Sequence, residues 1–61
     1  MMTRLVLTRK LNESVILHKD DKVIASIKIH RIDRNQVRLT FTADKDVVID
    51  REEIFNAEQT H

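Results

Sequence analysis

The residues of this 61-residue chain best fitted to chemistry are cations at two places: Arg9 and Lys10, closing "LVLTRK", and Arg51, inside "VVIDREEIF". A guanidinium presents a planar fork of donors that matches phosphate oxygens, carboxylates or base edges, so such positions point to anion recognition. Arg51 is the odder case. Asp50 reads as a helix N-cap with Glu53 as its capping-box partner, which puts Arg51 in a first turn where the backbone dipole favours anions. The plain explanation is a surface ion pair with Glu52, Glu53 or Glu58, worth at most about 1 kcal/mol. Arg9 and Lys10 likewise suit an edge strand that must repel other edges.

Other chemistries find no footing. There are no cysteines, and His18, His30 and His61 lack helical i, i+4 spacing, so no metal site or cofactor is expected. No Ser/His/Asp arrangement, glycine-rich phosphate loop or paired-carboxylate cleft stands out, and the chain reads as a non-enzyme. With Tyr and Trp absent and Phe41 and Phe55 the only aromatics, base stacking on exposed rings is also disfavoured.

The elements that must position these cations are mostly strands. Leu5, Leu7 and Arg9 alternate with Val6, Thr8 and Lys10. A short apolar run, Val15 to Leu17, follows, then a turn at "HKDDK". The pattern predicts a strand over 23–32, with Val23, Ala25, Ile27 and Ile29 on one face and a bulge near Arg31 where Ile32 breaks phase. "DRNQ" makes the next turn. Val37, Leu39, Phe41 and Ala43 alternate with Arg38, Thr40 and Thr42 as a half-buried strand. Val47 to Ile49 is a fifth strand, residues 51–58 a helix docked by Ile54 and Phe55, and a polar, frayed tail begins at about 56. The fold class is therefore mainly β, five short strands and a C-terminal helix, in one domain over 1–61.

A chain of this size buries only about 60% of the surface it exposes when unfolded, so small folds need staples or a partner chain. Without cysteines, a homodimer is the expected support. No apolar run approaches the roughly 20 residues of a membrane span, and no secretory signal is evident, so the expected location is cytoplasmic. Net charge is only +1, so any polyanion site must arise from local clustering.

The order "LVLTRK", "NQVRLTF" and "DKDVVIDREEIF" resembles the CsrA/RsmA carbon storage regulator family of small bacterial post-transcriptional regulators, over about residues 4–56. The resemblance implies an interlocked homodimeric β-sandwich or barrel-like assembly, with the first strand of one subunit beside the fifth of the other. It implies binding to messenger RNA at GGA motifs, in hairpin loops and ribosome-binding regions, with translational repression or altered mRNA stability as the result. Small RNAs carrying GGA motifs act as decoys, and a protein antagonist is a further partner class. Carried over by position, the RNA-binding residues are Leu7, Arg9, Lys10, Val47, Ile49 and Arg51.

The chain departs from that family in having no Gly and no Pro. Asn12, Arg34 and Thr40 stand where the family places glycines, and Asp44 stands at its proline. Asn12 is expected to adopt positive φ. Asp44, Asp46 and Asp50 add negative charge near the implied RNA face and are expected to weaken binding. An alternative reading is a divergent paralogue acting through protein partners or heterodimerisation, with weak or altered RNA binding.

Overall fold

The computed structural model describes residues 2–59. It contains β1 (Met2–Arg9), β2 (Ser14–Lys19), β3 (Lys22–Lys28), β4 (Val37–Asp44), β5 (Val48–Arg51) and α1 (Glu52–Gln59), the mainly β class with one C-terminal helix that the sequence implies. The strands form two sheets, β1–β4 and β3–β2–β5, all antiparallel.

Alternation dictates β4 in full. Val37, Leu39, Phe41 and Ala43 turn inward while Arg38, Thr40, Thr42 and Asp44 are exposed. Opposite them, Leu5 pairs with Phe41, Leu7 with Leu39 and Arg9 with Val37. These inward faces supply part of a small core whose buried apolar members are Leu7, Val15, Ile16 and Ile29. β2 is the most enclosed strand because it is the centre of its sheet: Val15 is 0% exposed and Ile16, on the opposite face, is also buried.

Without glycine, the tight turns use Asn and Asp. Asn12 has φ 69°, and its N–H donates to the Ile29 carbonyl at 2.7 Å. Asp20 and Asp21, at φ 51° and 67°, make a two-residue hairpin tip whose backbone twist matches that of the flanking strands. Among the described residues Arg34 and Thr40 have no positive φ, so these two glycine positions are filled without backbone strain.

Several boundaries differ from the sequence reading. β3 ends at Lys28, and its ladder continues only through the Ile29 hydrogen bonds to Asn12 and Glu13. By Arg31 no partner strand remains to bulge against; the register shift lies between Leu17 and His18 instead. The helix runs over 52–59 where the sequence pattern predicts 51–58, and the polar residues from 56, also read as a fraying tail, stay helical through 59. Thr60 and His61, also assigned to that tail, lie outside the described residues.

The chain is flat and open-edged. Its radius of gyration is 12.0 Å, with extents of 35 × 31 × 14 Å, against about 10.5 Å for a compact domain of this length. Its accessible surface is 5017 Å², where a compact 7.2 kDa protein exposes about 4,100 Å². Met2, Val6, Val23, Ile24, Val48 and Ile54 all remain exposed. β1 and β5 each pair on one side only.

Candidate functional site

The end of β1 is tied to the start of α1 by Arg9. Strand alternation turns Arg9 inward beside Leu7, and it is 4% exposed. A buried guanidinium needs partners for its donors. Nη1 donates to the Ser14 carbonyl at 3.2 Å and to Glu53 Oε1 at 3.0 Å, Nη2 donates to Glu53 Oε2 at 2.9 Å, and Nε donates to the Thr8 carbonyl at 3.1 Å. Glu13 Oε1 stands 3.6 Å from Nε and also accepts from the Lys10 backbone N–H at 2.8 Å, closing the β1–β2 turn. The fork holds the Glu53 carboxyl well below the usual range, lowered to about 2, helped by its own backbone N–H and by the charges of Arg9 and Arg51. The same hydrogen bond raises Arg9 above its ordinary value, against the opposing effect of burial.

At the end of β5, Arg51 is the last strand residue rather than the first helical one. The strand stays extended through Arg51 because β5 pairs with β2 down to the register Val15 opposite Arg51. Arg51 is half-buried, and its guanidinium makes no hydrogen bond or ion pair among the described residues, although its charge acts on Glu53. The capping box predicted from Asp50 and Glu53 does not form, since both carboxylates are held by distant residues. Asp50 Oδ2 lies 2.8 Å from His18 Nε2, and the His18 ring meets Phe55 at a centroid distance of 4.8 Å. Thus β2 and β5 hold α1 through His18, Asp50 and Phe55, while Ile54, also expected to dock, is exposed.

The remaining residues singled out in the sequence fall around these two strand ends. Lys10 is exposed just beyond β1; Leu7 is buried in the core; Val47 and Ile49 are half-buried beside and within β5. The structure therefore brings Arg9 and Arg51 to one carboxylate but gives Leu7 and Arg9 packed side chains, because both sit on the inward phase of β1. Among the acids, Asp44 and Asp46 are exposed, whereas Asp50 is engaged by His18. The sequence reading missed Glu53 and His18 as organising residues. The phase Leu5, Leu7, Arg9 signals the first, since an arginine on an apolar face needs a carboxylate. Nothing local signals the second. Among the described residues no cluster suited to a metal ion occurs, and no helix is long and apolar enough to cross a membrane.

Comparison with known proteins places this chain in a family. Residues 4–60 match the model of CsrA, the global regulator protein family. The chain is 44% identical over 50 residues to the translational regulator CsrA of Halothermothrix orenii, covering 82% of this chain and 57% of that protein. It is 49% identical over 51 residues to the translational regulator CsrA of Alkaliphilus metalliredigens, covering 84% of this chain and 63% of the other. The chain thus spans about three fifths of the length of these relatives. No solved structure matches it. With nearly its whole length matched, the chain belongs to the CsrA global regulator protein family.

Proposed function

We propose that two copies of this chain join edge to edge, β1 of one beside β5 of the other, and that this homodimer binds messenger RNA at GGA motifs to control translation or mRNA stability. The observation that carries the reading is that β1 and β5 each have one open edge and each end in an arginine acting on Glu53. Joining those edges makes two five-stranded sheets in the order β4–β1–β5–β2–β3, with β5 to β3 from the partner copy. The surface that one chain exposes beyond a compact fold, about 900 Å², is close to the roughly 800 Å² that each partner buries in a standard interface. The relatives are translational regulators by name, which supports the regulatory role.

In this reading Arg51 and Lys10 meet RNA through their free cationic heads. Leu7, Val47 and Ile49 form the apolar floor beneath, and Arg9 sets the end of β1 through Glu53. Recognition of base edges and phosphates by such groups needs no aromatic platform. Small RNAs with repeated GGA motifs compete for the same site as decoys, and a protein antagonist covers the same basic surface. The compartment is the cytoplasm, where messenger RNA is translated, and no catalytic step is involved.

The test is sedimentation equilibrium together with titration of two hairpins, one carrying GGA in its loop and one with that triplet altered. A dimer with two selective sites is expected, and Arg51→Ala should abolish selective binding while leaving the circular dichroism spectrum intact. A monomer at micromolar concentration, or equal affinity for both hairpins, overturns the reading.

A further inference from the structure

The outward face of the β1–β4 ribbon is not used by the site above. Opposite the core-facing phase, the register sets Arg4 across from Thr42, Val6 across from Thr40 and Thr8 across from Arg38. Two arginine–threonine couples therefore bracket a central valine–threonine couple. Arg4, Arg38, Thr40 and Thr42 are exposed, and Val6 is 50% exposed. Neither Arg4 nor Arg38 makes a hydrogen bond or ion pair among the described residues, in contrast to Arg9. The one carboxylate in this phase of the ribbon is Asp44, at its far end opposite Met2.

We propose that this face is a second RNA-contact track, on which Arg4 and Arg38 take backbone phosphates of the nucleotides flanking the core motif. The inference rests on the RNA-binding reading above and extends it to a separate surface. Four residues of strand separate the two couples, about 14 Å at ~3.4 Å per residue, so they reach different phosphates of one extended strand. Each guanidinium has a threonine hydroxyl directly across the ribbon as a further donor to phosphate oxygen. Val6 between them offers an apolar patch for a base or sugar, with no ring for tight stacking. Such a track lends affinity without sequence preference, because phosphates carry no sequence information.

The experiment compares the GGA hairpin and the altered hairpin, each bare and each with single-stranded flanks, across a series of salt concentrations. Proteins are the full chain, Arg4→Ala/Arg38→Ala, and a charge-matched control, Lys22→Ala/Lys28→Ala, on exposed β3 positions. Flanks should tighten binding of both hairpins to the unaltered chain, and the arginine double variant should lose that gain, about tenfold at moderate salt. Its salt slope on flanked RNA should fall by about 1.4, the value for two phosphates on a single strand, while its affinity for the bare GGA hairpin holds. If flanks add nothing, if the double variant keeps the slope, or if the lysine control loses as much, the track does not exist. Failure of GGA selectivity with flank dependence intact removes the core reading alone, since flank dependence is scored separately on the altered hairpin.

Discussion

The ends of β1 and β5 make an instructive pair. Each closes on an arginine, and both arginines act on Glu53. At β1 the guanidinium is buried, and its donors meet two backbone carbonyls and a bidentate carboxylate. At β5 it is half-buried and has no hydrogen bond among the described residues. Identical side chains thus divide the labour: one is consumed in holding strand to helix, the other remains available to a ligand. Burial and partner count separate the tied arginine from the unengaged one here, where residue type and sequence position cannot.

The comparison is broken most directly by truncating each arginine. Arg9→Ala should lower stability in urea unfolding by about 2 kcal/mol, because it removes a packed side chain and leaves the Ser14 carbonyl without its donor. Arg51→Ala should stay within about 0.5 kcal/mol of the parent. Equal losses at the two sites would erase the distinction. The next effect is His18→Ala, expected to cost about 1–2 kcal/mol, since it strands the half-buried Asp50 carboxylate and deletes the contact with Phe55. Thermal melts at neutral pH measure it, and a double-mutant cycle with Asp50→Asn should show strong non-additivity.

Asn12 gives a smaller, signed effect. Its positive φ means Asn12→Ala should destabilise by about 1 kcal/mol, whereas Asn12→Gly should be neutral or slightly stabilising. A melting temperature lowered by glycine would show that the Asn12 side chain matters beyond its backbone. The smallest effect concerns Glu53. Its folded-state value is depressed, so its contribution is present above the ordinary value of 4.5 and is lost as pH falls towards about 2. The side chain is 59% exposed, and solvent screening limits the effect to about 1 kcal/mol or less. Glu53→Gln should flatten the stability profile between pH 4.5 and 2, measured by denaturant midpoint.

What the sequence reveals follows from how local the causes are. β4 is legible residue by residue because alternation alone sets its faces, and the Asp20–Asp21 tip follows from the tolerance of Asp for the left-handed region. The β5–α1 junction is misread because Asp50 and Glu53 have the right spacing for a capping box. Their actual partners, His18 and Arg9, lie 32 and 44 residues away. No local pattern reveals competition from that distance. The candidate site residues lie between these cases: their clustering at strand ends is visible in the sequence, but the division between tied and free cations is not.

The open margins of β1 and β5 also bear on how the proposed homodimer comes together in time. Proline and cysteine are absent, so neither prolyl isomerisation nor disulfide shuffling can delay refolding. With both clocks removed, the slow step left to the homodimer proposed above is the meeting of two chains. Diluting the refolding mixture should then lengthen its half-time in proportion, the signature of a second-order process.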